Sequence, residues 1–390
     1  MTSKTRLSIL LVSTPVLAFV IVGGLMGQER PAGDRAFRHL RVFEDVVQLV
    51  MSNYVEEVKV DRAMEGAMKG LADGLDPDSA YLDPAQVRIA SGPESAAEGD
   101  VGLELTRQYY LRVIAARDGS PAAKAGLQTA DFVRAIDGKP TRDMSVFEGA
   151  RLLRGQPGSK VTLTVIRGNA AEPHDIALVR EKPSGAAVTS RMVGTDVGYL
   201  RIATFRNNAA EDIRKQTAEL AKSGAKSLLI DLRRTAEGPL DNGIAAARLF
   251  VKSGTLAIKA GRGKQDRVDV TATASDATID LPVTLLVTTG TAGAAELFVA
   301  ALDGNKRADT VGERTLGRAG IQKLVHLPEN RGLWLTYAKY LTPSGDPIHG
   351  RGLEPDVRID EPDVEFGSAA PEKDVMLDAA LAHLRSKKAA

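Results

Sequence analysis

Two nearly unbroken apolar runs, SLLIDLR (227–233) and LPVTLLVT (281–288), constrain this chain more than any other feature of it. A strand with one face in water alternates apolar and polar residues, and these runs do not alternate. They read as strands of the buried type, covered on both faces. VGYLRIATF (197–205) is a further strand. The stretches between and after these strands read as helices: AEDIRKQTAELAKS (210–223), LDNGIAAARLFV (240–251) and AGAAELFVAAL (292–302). Strands alternating with helices give an α/β domain, a sheet layered with helices. The expected limits of this core are residues 190–360.

A chain of 390 residues has room for two or three domains. Upstream of the core, VGLEL (101–105), YLRVIAA (110–116), DFVRAIDG (131–138) and KVTLTVIRG (160–168) are strand-like by β-branched content and alternation. SPAAKAGL (120–127) and RDMSVFEGARLLRG (142–155) read as helical. Within the second of these, Val146, Ala150 and Leu153 fall at i, i+4 and i+7, on one helix face. Ser91–Asp100 is a Gly-, Ser- and Glu-rich linker. Earlier still, Leu40, Phe43, Val47, Val50, Met51 and Tyr54 sit at helical spacing, and a second helix fits Asp61–Leu71. The tail after Asp360 is polar and turns helical at Lys373–Ser386.

The 51 Lys and Arg against 50 Asp and Glu leave no basic surplus to attract nucleic acid. The absence of Cys excludes disulfides, Cys-ligated zinc and an N-terminal lipidated Cys. Five scattered His show no metal-ligand spacing, so neither a metal nor a cofactor is expected. Lys4 and Arg6 precede an uncharged run, Leu7–Gly27, whose 21 residues suffice for a helix across a hydrocarbon core of about 30 Å. Residues 1–27 are expected to be a signal-anchor. It would cross the inner membrane once and leave the bulk of the chain in the periplasm or another extracytoplasmic space. A cleavable signal peptide is the rival reading, although no Ala-x-Ala site follows.

The segment LVTTGTAGAAELFVAALDGNKRADTVGERTLGRAGIQ (286–322) resembles the catalytic segment of the carboxy-terminal processing, or tail-specific, serine peptidases. Gly290, Ala294, Glu296, Gly312, Glu313, Gly317 and Gln322 fall where that family's pattern places them. The likeness extends through LTYAKYLTPSGDPIHGRGLEPDV (335–357). It also takes in LDPDSAYLD (75–83), where the family carries Leu-Asp-Pro-His-Ser and this chain has Asp78 for the His. SPAAKAGL, Asp131, AIDGKPT and LLRGQPGSKVTLTV, in that order, resemble a PDZ domain. The resemblance implies five parts: the anchor (1–27), an N-terminal helical subdomain (35–90), a small α+β PDZ domain (98–182), a ClpP/crotonase-like α/β peptidase core (190–360) and a tail with a helix (361–390).

The same resemblance places the nucleophilic Ser at Gly293 and the Lys general base 25 residues later at Arg318. Gly offers no oxygen, and a guanidinium keeps its proton at physiological pH. The loop that in the family helps hold the oxyanion is here RTAEG (234–238), with Gly238 retained and Glu237 in place of a Gly. The N–H groups of Gly293 and Ala294, at a helix start, either form a residual anion pocket or simply cap the helix. A relocated nucleophile would draw on Thr288, Thr289 or Thr291, with Lys306 or Lys323 as base. The PDZ likeness implies capture of a peptide C-terminus as an added strand beside Gly102, Leu103, Glu104 and Leu105, walled by Val146 and Ala150.

The sequence thus predicts a pseudopeptidase that binds protein C-termini or a partner protein. An active endopeptidase with a relocated nucleophile is one rival. The other is a scaffold docking an active paralogous protease.

Overall fold

The computed structural model of the chain describes residues 32–92, 99–168, 172–361, 364, 366 and 373–389. The run Leu7–Gly27 and most of the 91–100 linker lie outside these. Among the described residues no helix is long and apolar enough to cross a membrane. The chain divides into two compact units, residues 1–68 and 69–390. In the first, α1 (Ala32–Asn53) carries Leu40, Phe43, Val50 and Met51 on exposed surface, and α2 (Val60–Asp73) begins.

The second unit opens with a turn at 75–79, a short strand β1 (Ala80–Leu82) and α3 (Pro84–Ser91). Asp83 starts α3 through a capping box. Its carboxylate accepts from the Ala85 and Gln86 N–H groups, and the Gln86 side chain accepts from the Asp83 N–H.

An antiparallel sheet follows, of β2 (Leu103–Gln108), β3 (Tyr110–Ala116), β4 (Phe132–Ile136), β5 (Lys139–Pro140), β6 (Lys160–Ile166) and β7 (His174–Val179), ordered β2-β3-β4-β6-β7 with β5 beside β4. Helices α4 (Pro121–Lys124) and α5 (Val146–Leu153) belong to it, each capped by a serine hydroxyl, Ser120 and Ser145. Leu105, Leu111, Val133, Ile136, Leu163 and Leu153 close its core.

The peptidase-like core is a six-stranded sheet of β8 (Val188–Val193), β9 (Val197–Ile202), β10 (Ser227–Asp231), β13 (Val283–Val287), β14 (Ala308–Gly312) and β17 (Val357–Arg358). All neighbours pair parallel except β8 with β9. The two apolar runs supply its adjacent central strands, β10 and β13. Their residues alternate between two hydrophobic layers. Leu228, Ile230, Leu285 and Val287 face α6 (Ala209–Lys222), α7 (Leu240–Arg248) and α8 (Ala294–Gly304). Leu229 and Leu286 meet Met376, Ala380 and Leu384 of α9 (Val375–Ala389) on the other face. The tail helix is therefore the second covering layer that strands buried on both faces require.

A third sheet runs along the core: β11 (Thr255–Ala260), β12 (Val268–Thr271), β15 (Gly320–His326) and β16 (Gly332–Leu341), with β1 on the edge of β16. Through β1 and β16 the 75–83 turn comes to lie beside the end of the peptidase-like segment.

Candidate active-site cleft and peptide groove

The loop leaving β13 is pinned from within. The buried Thr291 hydroxyl donates to the Leu232 carbonyl (2.8 Å) and accepts from the Thr288 N–H (3.0 Å). The chain then turns sharply into α8 at Gly293, whose φ of 64° and ψ of −121° are rarely adopted by residues with a side chain. A β-carbon added there would meet nothing closer than 3.6 Å, the Ala236 carbonyl oxygen. A strand–turn–helix elbow of this kind presents one residue to a cleft, and the buried Gly293 lines the cleft here. Here that residue carries no functional group.

Glu296, fully buried one turn into α8, binds this elbow to the loop where the base is expected. Its carboxylate accepts from Gly293 N–H (3.1 Å), Thr315 hydroxyl (2.5 Å), Gly317 N–H (2.5 Å) and Arg318 N–H (2.7 Å). Burial raises its pKa, and the four donors offset this only in part. Of the two readings of this helix start, the Gly293 N–H favours the cap, since it donates to Glu296.

Arg318 enters the cleft with its guanidinium between two carboxylates. Nε lies 3.2 Å from Asp78 Oδ1, and Nη1 lies 3.2 Å from Glu104 Oε2. Burial alone would lower its pKa, but Asp78 and Glu104 outweigh that and raise it. Glu104 is raised by burial despite the nearby guanidinium. Gln322 donates to the Thr336 hydroxyl (3.1 Å), which donates to Asp76 (3.2 Å); Asp76 also accepts from the Asp78 N–H and from the Ser79 N–H and hydroxyl. Asp76, Asp78 and His349 form a group whose ligand atoms lie within 4.8 Å of one another. The Arg318 guanidinium on Asp78 and the four bonds to Asp76 oppose a cation there.

On the oxyanion side, Glu237 is buried and its Oε1 is shared by Arg117 (2.8 Å) and Arg206 (2.9 Å). Ala236, Glu237, Gly238, Gly293, Arg318 and Gln322 line one cleft of about 900 Å³. The structure therefore brings together the Gly293, Arg318, Gln322 and Gly238 that the sequence singled out. It does not bring the relocation candidates together. Thr291 is a buried loop staple, Lys306 follows the far end of the 11-residue α8, and Lys323 is exposed with its amine 4.9 Å over the Tyr337 ring. Asp78, Arg117 and Arg206 are site residues that sequence reasoning did not assign as partners.

A second cleft, about 640 Å³, lies between β2 and α5 and is lined by Gly102, Leu103, Glu104, Leu105, Val146 and Ala150. Val146 and Leu153 also belong to the small domain's core, whereas Ala150 does not. Arg318 and Trp334 of the core complete its wall. The groove helix is held there by Phe147, whose ring lies 5.7 Å from that of Trp334.

A PDZ-like groove opens beside an α/β cleft built from a β13–α8 elbow and the 315–318 loop, the architecture of a PDZ-bearing peptidase scaffold. Residues 196–359 match the profile of peptidase family S41 and residues 112–167 that of the PDZ domain. The chain is 32% identical over 331 residues to a carboxy-terminal-processing protease of Bartonella bacilliformis, covering 84% of this chain and 76% of that one. It is 34% identical over 314 residues to a carboxyl-terminal-processing protease of Synechocystis, covering 78% and 73%. Among solved structures it is similar to the photosystem II D1 C-terminal processing protease, with a TM-score of 0.67 and 28% identity over 82% of this chain and 92% of that one. This chain belongs to the family of carboxy-terminal-processing serine proteases.

Proposed function

We propose that this family member is a pseudopeptidase that holds protein C-termini without cutting them, anchored in the inner membrane by residues 1–27 with its bulk in the periplasm. The observation that carries the reading is the pairing of Gly293 with Arg318. The elbow where the family resemblance places a nucleophile has no side chain. The residue at the base position is a guanidinium engaged with Asp78 and Glu104. A base must be neutral to take a proton, and two adjacent carboxylates favour the charged form. Glu237 adds negative charge where an acyl-transfer site needs donors, although Arg117 and Arg206 neutralise it. The groove beside β2 retains the form used for strand addition. The uncharged run Leu7–Gly27 preceded by Lys4 and Arg6 supports the anchor.

The test is incubation of the full chain, in detergent, with unstructured peptides bearing apolar C-termini, with products followed by mass spectrometry. The peptides are expected to stay intact while binding is detected. Cleavage products that track the protein through purification overturn the reading. Labelling in cells with a membrane-impermeant amine reagent tests the topology: modification of lysines beyond residue 69 is expected, and their protection until lysis refutes a periplasmic bulk.

A further inference from the structure

We propose that Arg318, standing at the position of a catalytic base, is a carboxylate clamp for the peptide C-terminus in the PDZ groove, with Glu104 occupying the clamp until a peptide replaces it. The inference rests on the tail-binding reading above and assigns the group that recognises the tail's charge.

Three observations carry it. First, Arg318 belongs to the core yet lines the groove between β2 and α5, alongside Gly102, Leu103, Glu104, Val146 and Ala150. These are the residues where a strand-added peptide would end. Second, the guanidinium is only partly used. Asp78 holds Nε, and Glu104 holds Nη1 through a single 3.2 Å contact. Nη2 makes no hydrogen bond among the described residues. A guanidinium binds a carboxylate best through two parallel N–H bonds along one edge. The Nη1–Nη2 edge is thus half occupied, while Asp78 keeps the plane oriented from the other side. Third, the occupant is itself a carboxylate that can leave. The Glu104 side chain is 30% exposed, and Arg318 is 29% exposed. An incoming terminal carboxylate replaces like with like, so the ion pair is exchanged and no charge is stranded in the groove. Asp78 lines the same groove but, at 8% exposure against 30% for Glu104, is the more deeply buried of the two and the harder to displace.

The arrangement gives the two acidic neighbours opposite roles. Asp78 positions the clamp, and Glu104 competes with the ligand. A purely structural Arg318 would make every change in this triad weaken binding alike.

The experiment is fluorescence anisotropy on the full chain in detergent, with a labelled peptide ending in Val as either the free acid or the amide. Arg318→Gln and Glu104→Gln are compared with the unaltered protein, and melting curves confirm that each variant folds. The unaltered protein is expected to prefer the free acid about tenfold, the scale of one charge-assisted hydrogen bond. Arg318→Gln should abolish that preference. Glu104→Gln should tighten free-acid binding several-fold. If Arg318→Gln keeps the preference, or if Glu104→Gln weakens free-acid binding, the clamp is refuted while tail binding stands. If the unaltered protein binds neither peptide, the tail-binding reading falls and the clamp falls with it. Should Arg318→Gln not fold, the sign of the Glu104→Gln effect alone decides.

Discussion

Arg318 and Asp78, 3.2 Å apart, are both departures from the family pattern, and they face each other. The resemblance places Lys at one position and His at the other, two basic residues side by side. Here the pair is a guanidinium and a carboxylate, which attract. The replacements make sense together, as an ion pair beside the Gly293 elbow.

That pairing sets the outcome of repair. Gly293→Ser would place a β-carbon at ordinary contact distance, 3.6 Å from the Ala236 carbonyl oxygen, but at φ of 64°, which costs on the order of 1–3 kcal/mol. We expect a folded protein with a lower melting temperature and no peptide cleavage by mass spectrometry. Adding Arg318→Lys should also leave peptides intact, because Asp78 and Glu104 would hold the new amine in its charged form. Cleavage by Gly293→Ser alone would show that another base is already in place.

Glu296 offers a stability measurement. Its carboxylate accepts four hydrogen bonds, three of them from backbone N–H groups. Glu296→Gln presents an NH₂ group where an acceptor is needed and leaves at least one buried donor facing another. The expected loss is about 2–4 kcal/mol in denaturant unfolding. A loss below about 0.5 kcal/mol would mean that Glu296 does not join the elbow to the 315–318 loop.

Glu104 makes stability depend on pH with a definite sign. Burial raises its pKa in the folded chain above the unfolded value of about 4.3. The native state therefore binds the proton more tightly. The stabilisation is complete below the unfolded pKa and is lost as pH rises through the folded one. Relative to Glu104→Gln, the unaltered protein should be more stable at pH 4 than at pH 7, as read from the difference in their melting temperatures. A difference that is flat or reversed across that range contradicts a raised pKa.

Much of this scaffold was legible because it is locally encoded. The runs at 227–233 and 281–288 announce strands covered on both faces, and SPAAKAGL and RDMSVFEGARLLRG read as the helices of the small domain. The third sheet was not legible in the same way. Its β1 pairs with β16 across some 250 residues, with Ala80 opposite Trp334, and no periodicity records such a partner. The site divides along the same line. Gly293 and Arg318 could be placed by motif, because the elbow and the 315–318 loop each lie within one short segment. What Arg318 touches could not be read, since Asp78 comes from the opening turn and Glu104 from the PDZ sheet. Complementary charge at the two altered positions, Asp for His and Arg for Lys, was the one available sign of contact.

The seating of the elbow helix itself can be tested at Gly243. This residue lies in α7 where the backbone of α8 crosses it, and a β-carbon there would fall 1.9 Å from the Ala294 carbonyl oxygen. Gly to Ala inside a helix ordinarily stabilises by about 0.5–1 kcal/mol. At Gly70 in α2, where a β-carbon meets nothing within 4 Å, that ordinary gain is expected. At Gly243 the sign should reverse. Backbone cannot move aside as a flexible side chain would, so α7 and α8 must separate, at a cost of about 2 kcal/mol or more. The separation would also shift Gly293, the residue before Ala294, and with it the cleft it lines. Chemical denaturation of Gly243→Ala and Gly70→Ala in parallel provides the comparison. Stabilisation by both substitutions would show that the two helices do not approach as closely as the Ala294 carbonyl requires.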